Sequence, residues 1–241
     1  MYREIKKKKV ILENRKPFNR NLAIEMRELS LIDMIFTTMR LGNGCLDRKE
    51  IKTILDGNVI KEATIEEHSI IENYKALQYE IDNQLEMGSS LSLRTIVKLY
   101  EVLHGKCKGY RTNNPILRDY SYNPPHFKEV DEQMEIVLAW ISKDNPGETS
   151  NELLKAAFFH NRFIEIYPFD EGNEEMARIC LWYYMMSKGY PIFSMNFSLE
   201  EYNAALTQYF RNEEISGFYG GLERSLYNKL DYLLNITSID D

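Results

Sequence analysis

Hydrophobic positions recur every three or four residues along most of the chain. The pattern is clearest between Asn21 and Arg40, where Leu22, Met26, Leu29, Ile32, Ile35, Phe36 and Met39 share one face. That period predicts an amphipathic helix, and Gly42-Asn43-Gly44 supplies its stop. Asp47 is a suitable N-cap for a short helix ending near Gly57-Asn58. Thr64 with Glu67 forms a capping box for a longer helix to about Gln84, and Leu91 to His104 predicts a fourth. Between Gly105 and Pro125 the helical period gives way to Gly, Asn and Pro punctuation around a short alternating piece, as in a hairpin or extended flap. Helical periodicity then resumes over about Lys128 to Ser142, Ser150 to Ile166, Glu174 to Lys188, Leu199 to Arg211 and Glu214 to Leu234. No Pro/Gly/Ser-rich linker divides the chain. The expectation is an all-α helical bundle with a short β-hairpin flap, organised as a single domain over 17–241 behind an N-terminal arm over 1–16.

Composition refines this picture at a few points. A chain of 241 residues, 44% of them hydrophobic, can bury a large core. No apolar run reaches the roughly 18 residues needed to span a bilayer, and the N-terminus lacks the apolar core of a signal peptide, so a cytoplasmic, non-membrane protein is expected. The net charge of −7 is uneven: residues 1–16 hold seven Lys and Arg against two Glu. The acidic body should repel nucleic acid, and Lys6 to Lys9 predict a solvated arm or an edge strand, the alternatives being contact with a phosphate backbone or an acidic partner, or pairing of the arm or the flap with a second chain, as in a homo-oligomer. Cys45, Cys107 and Cys180 are odd in number and widely spaced, which indicates buried thiols rather than disulfides or a metal site.

The helix that begins near Glu174 is apolar nearly all round, as expected at the centre of a bundle. Arg178 is its exception, because a buried charge is costly unless an anion meets it. Just before it, "YPFDEGNEEMAR" (Tyr167 to Arg178) leads from one apolar helix through a Gly-Asn turn into the next. Asn173 can cap the second helix, and Glu174 and Glu175 suit the positive end of its dipole. Tight turns of this kind gather free N–H groups and form anion sites. Here the nearby anions are the protein's own carboxylates, and Asp170, Glu171, Glu174 and Glu175 would suit a hard divalent cation.

"HNRFIEIYPFDEGNEEMARICLWYYMMSKGYP" resembles the signature of Fic-domain proteins, in which a helix ends in H-x-F-x-[D/E]-G-N-G-R-x-x-R. The resemblance extends upstream to Ala156-Ala157, His160 and Phe163, and downstream to "GYPIF". "KGYR" at Lys108 to Arg111 and Pro124-Pro125 are similar to the family's target-binding flap. "TTMRLGN", from Thr37 to Asn43, is similar to its inhibitory [S/T]-x-x-x-E-[G/N] segment. Together these ordered matches cover about residues 30 to 195. The resemblance implies a Fic-type bundle and transfer of AMP from ATP to a protein hydroxyl. It also implies a His as general base, an acidic residue on Mg²⁺, and Gly, Asn and Arg residues on the phosphates.

Phe169, Glu171, Gly172, Asn173 and Arg178 keep that pattern, so Glu171 is the expected Mg²⁺ ligand and Gly172, Asn173 and Arg178 the expected nucleotide contacts. Tyr167 stands at the position of the base, Glu174 at that of the second Gly, Glu175 at that of the first Arg, and Leu41 at that of the inhibitory Glu. A phenol with a pKa near 10 is ionised about one part in a thousand at pH 7, a deficit of roughly 4 kcal/mol against an imidazole. One like-charge contact at about 4 Å costs on the order of 4 kcal/mol at an effective dielectric near 20. Weak ATP and Mg²⁺ binding and deficient AMP transfer are therefore expected, leaving a binding or regulatory module whose flap, Lys108 to Pro125, meets a protein target. The alternative is an active transferase with an unusual base or donor. Arg178 is expected to pair with Glu174 or Glu175. His160, two helical turns before Tyr167, is a replacement base of low rank, and His104 and His126 border the flap without ligand spacing.

Overall fold

The computed structural model describes residues 1–238 apart from 43, 62, 106–108, 116–121 and 144–150. The helices are α1 (Tyr2–Asn14), α2 (Arg20–Leu41), α3 (Arg48–Leu55), α4 (Ile65–Glu86), α5 (Leu93–His104), α6 (Val130–Ser142), α7 (Glu152–Ile166), α8 (Asn173–Ser187), α9 (Leu199–Asn212) and α10 (Ser216–Ile236). One 3-10 turn, Phe127–Glu129, precedes α6. The all-α expectation holds, and the starts are made by side chains the sequence exposes. Reciprocal capping boxes join Asp47 to Glu50, Thr64 to Glu67 and Ser198 to Glu201, satisfying donors that a first helical turn leaves free.

α8 runs through the middle, packed on α7, α4 and α5. Met176, Ile179, Leu181, Trp182 and Tyr183 are all buried, so the helix has no solvent face over these turns. Each Ile, Leu or Met buried in this way contributes about 1.5–3 kcal/mol. The Trp182 indole would be costly there without a partner, and its N–H donates to the Phe193 carbonyl at 3.0 Å.

The N-terminal basic run departs from the expected solvated arm or edge strand. Ile5 and Leu12, seven residues apart and so on one face, are buried as α1 docks on α10. Lys8 pairs with Asp231 at 2.5 Å, and the Arg15 guanidinium donates to the Leu234 carbonyl and the Thr237 hydroxyl. Two buried positions in a lysine-rich stretch whose Val10 and Ile11 stay exposed are a faint helical signal, but enough once a partner helix supplies the other face.

The expected hairpin flap is not formed by the described part of its segment: residues 109–115 and 122–126 contain no strand. Lys108, Cys107 and residues 116–121 of that stretch lie outside the described residues. The segment is held by side chains instead. The Tyr122 hydroxyl donates to the Ile164 carbonyl at 2.6 Å, and its ring stacks on Phe210 at 4.1 Å. Of the three cysteines, Cys180 is buried, and burial pushes its thiol pKa up. Cys45 is exposed, against expectation, because it falls after the Gly42 stop rather than inside a helix. Among the described residues no helix is long and apolar enough to cross a membrane.

Candidate functional site

The α7–α8 turn carries the residues singled out in the sequence. α7 ends as Tyr167 adopts the left-handed conformation, φ 53° and ψ 61°, its N–H donating to the Phe163 carbonyl at 3.0 Å. A bulky side chain in that region costs roughly 1–2 kcal/mol, so the turn must be held from outside. Arg111 holds it. This buried guanidinium donates to the carbonyls of Tyr167 (2.7 Å), Asn113 (3.0 Å), Pro125 (2.5 Å) and Ile166 (3.3 Å), while the Arg111 N–H reaches the Pro168 carbonyl at 2.9 Å. It thereby satisfies the free carbonyls at the negative end of α7. Desolvation pulls its pKa down, with Asp170 as the main opposing charge.

Inside the turn Phe169 is buried and stacks on Tyr100 at 4.2 Å. Asn173 does not cap α8 as expected; Gly172, at φ 71°, occupies that position. The Asn173 amide closes the loop, accepting from the Phe169 N–H and donating to the Phe169 carbonyl, both at 2.8 Å. Gly172 is needed for its torsion and for space, since a Cβ there would lie 2.7 Å from Nε2 of His104. Gly172→Ala should therefore cost about 1–2 kcal/mol for the torsion, plus the displacement of His104. Denaturant unfolding of Gly172→Ala with and without His104→Ala separates the two contributions. The alanine should cost less in the His104→Ala background, and an equal cost in both would exclude the contact.

The expected pairing of Arg178 with Glu174 or Glu175 is not made. Glu175 is taken by others: the Tyr74 hydroxyl donates to its Oε1 at 2.6 Å, and His104 Nε2 lies 3.3 Å from its Oε2. The Thr38 hydroxyl completes a chain from α2 to α8, 2.7 Å from that of Tyr74. Burial, then the Glu175 charge, raises the Tyr74 pKa well above that of a free phenol. Arg178 is 3% exposed, and its Nε and Nη1 have no hydrogen-bond partner. Desolvation opposes its charge, but Tyr202, Tyr74, Glu175 and Glu174 outweigh it. Desolvation raises the Glu174 pKa against the pull of Arg178.

Leu41, at the inhibitory position, is buried at the end of α2. Thr38, three residues earlier, makes that helix's link to the site. Glu171 and Asp170 are exposed, and among the described residues no three carboxylate, His or Cys side chains are grouped to hold a metal ion. The donors of Arg178 fit an anion. The Gly172 turn, covered by His104 and flanked by Glu175, does not fit an incoming phosphate in this arrangement. Tyr74, Thr38 and Arg111 carry no sequence signal for these roles, and the meeting of His104 with Glu175 across two helices leaves no trace in spacing.

His160 lies apart from this chemistry. It is fully buried, its Nδ1 3.0 Å from Asn161 Oδ1 and its Nε2 3.1 Å from the Tyr202 hydroxyl, with Phe218 stacked at 4.5 Å. Desolvation lowers its pKa to about 3. The unfolded chain, with an ordinary value near 6.5, binds the proton first, so His160 costs up to about 1.4 kcal/mol of stability per pH unit as the pH falls below that value. Urea unfolding between pH 7 and pH 5 should show the wild type losing stability faster than His160→Asn; parallel losses would exclude this assignment.

The sequence model of the Fic/DOC family matches residues 90–185, which run from before α5 through the turn into α8. A solved Fic-domain-containing signaling protein from Bacteroides thetaiotaomicron superposes with a TM-score of 0.80 at 17% identity, covering 98% of this chain and 99% of that one. Residues 90–185 thus match the Fic/DOC family, and the chain has the fold of a Fic-domain protein. Relatives include Protein adenylyltransferase Fic of Nematostella vectensis, 23% identical over 132 residues (53% of this chain, 30% of that protein). Another is Protein adenylyltransferase fic-1 of Caenorhabditis elegans, 24% identical over 174 residues (69% and 34%). The chain matches about a third of the length of these curated relatives. Its α7–α8 turn coincides with the part of the sequence that the family model covers.

Proposed function

We propose that this chain is a Fic-fold protein, related to protein adenylyltransferases, that has lost ordinary AMP transfer and acts as a binding or regulatory module. The observation that carries the proposal is the capture of Glu175 by Tyr74 and His104 beside the Gly172 turn. On this reading residues 17–241 form the single domain, with α1 docked on it. The segment from Lys108 to Pro125 offers a cytoplasmic protein partner its contact surface. Tyr167 packs in place of a base, and Glu171 is left as a lone exposed carboxylate.

Calorimetric titration with ATP and Mg²⁺ tests this. Binding weaker than millimolar, with no transfer of an adenylyl label to any protein, is the expected result. Micromolar binding or labelling overturns the proposal. The unpartnered Nε and Nη1 of Arg178 favour a second reading, an atypical transferase with a phosphate-containing donor. Labelling by such a donor that Arg178→Met abolishes would select it.

A further inference from the structure

A second charged site lies outside the α7–α8 turn. Asp33 on α2 is buried, its side chain 7% exposed, and its two oxygens accept from two cations: Arg48 Nη1 at 2.6 Å and Lys229 Nζ at 2.8 Å. The Lys229 side chain is itself only 9% exposed. One carboxylate therefore faces two positive charges. The three line a cavity of about 340 Å³ between α2, α3, α10 and the segment after α8. Its remaining polar lining is uncharged, with Asn196, Asn228 and Tyr232 the exposed dipoles and Ser194 buried behind them, and among the described residues no second carboxylate lines it.

An excess positive charge held partly out of water is costly unless an anion meets it. The cations here are also incompletely used. An ammonium has three donors, and Lys229 gives one to protein. Arg48 gives Asp33 one nitrogen, while its guanidinium is fixed 4.5 Å above the Phe36 ring. A planar guanidinium beside an ammonium suits phosphate oxygens, and the side-chain amides of Asn196 and Asn228, which make no hydrogen bond to described residues, suit hydroxyl groups beyond the phosphate. The cavity lies in the size range of small-molecule sites.

We propose that this cavity binds a phosphate-bearing small molecule, its phosphate between Arg48 and Lys229. The site shares no residue with the Gly172 turn and does not depend on the function proposed above.

Titration calorimetry of the full chain at constant ionic strength, with inorganic phosphate and with glycerol phosphate, tests it. Saturable binding of one equivalent is expected. Stronger binding of glycerol phosphate marks a phosphorylated metabolite as the ligand, and equal binding marks phosphate itself. Arg48→Gln, whose side chain is near the surface, should weaken binding at least about tenfold. Asn228→Leu, which fills the cavity without changing charge, should weaken it with circular dichroism and thermal midpoint unchanged. Arg178→Met should leave it intact. Absence of saturable binding of either probe, or binding that survives both cavity variants, overturns the proposal. So does binding lost in Arg178→Met and kept in Arg48→Gln, which would place the anion at the α7–α8 turn.

Discussion

Arg111→Ala is expected to destabilise the chain by about 3 kcal/mol or more, because a single buried side chain satisfies carbonyls from three separate segments. Its donors reach Ile166 and Tyr167 at the end of α7, Asn113 beside it in sequence, and Pro125 just before the 3-10 turn. Each buried acceptor left without a donor costs roughly 1–3 kcal/mol, reduced where water can enter. Lysine would not substitute, since a point charge cannot serve this spread of acceptors. Arg111→Lys should therefore recover less than half of the loss. The consequence for the site is direct: without Arg111 nothing replaces the bonds that hold Tyr167 in its left-handed conformation, and the turn should open. Denaturant unfolding with hydrogen exchange at Phe169 and Asn173 reads both effects. Retention of slow exchange at those amides in Arg111→Ala would show that Asn173 closes the turn unaided.

Most of the bundle was legible in the sequence because its helices carry two coincident signals, an apolar period and a capping side chain, as at Thr64 with Glu67 and at Asp47 with Glu50. α1 buries only Ile5 and Leu12, and Val10 and Ile11 fall outside that face, so its helix becomes visible only with α10 beside it. The flap is less legible for the opposite reason, and its described residues contain no strand. Gly and Asn punctuation is shared by hairpins and by irregular segments, and the bonds that decide between them run from Arg111 and Tyr122 to α7, far away in sequence. At the site, Arg178 was correctly marked as a buried charge in want of an anion, because burial follows from an all-apolar helix. The partners of Glu175 were not legible. Tyr74 and His104 come from α4 and α5, and which carboxylate they would take depends on helix rotation, which periodicity does not fix. Asn173 shows the same limit locally: its side chain could cap α8 or bridge to Phe169, and only the left-handed Gly172 decides for the bridge.

Restoring Tyr167→His, Glu174→Gly and Glu175→Arg together is expected to raise affinity for ATP with Mg²⁺ by about a thousandfold. Exchanging Glu175 for Arg removes one like-charge contact with phosphate, on the order of 4 kcal/mol at 4 Å, which alone corresponds to about that factor. The change is tolerable to the fold, because the Tyr74 hydroxyl keeps its bond to Thr38 and histidine occupies left-handed backbone more readily than tyrosine. Glu174→Gly gives back part of the gain, since glycine in the first turn of α8 costs up to about 1 kcal/mol of helix stability. His104 remains over Gly172, and the guanidinium introduced by Glu175→Arg cannot hold it there as the native carboxylate does. Adding His104→Ala to the triple variant should therefore increase affinity further, whereas His104→Ala alone, with Glu175 still present, should increase it little. Calorimetry on the four proteins gives this ordering directly. If the triple variant folds but gains nothing, and removal of His104 adds nothing, then Glu175 and His104 are not what keeps nucleotide from the Gly172 turn. The obstacle would then lie in the pocket beyond Arg178.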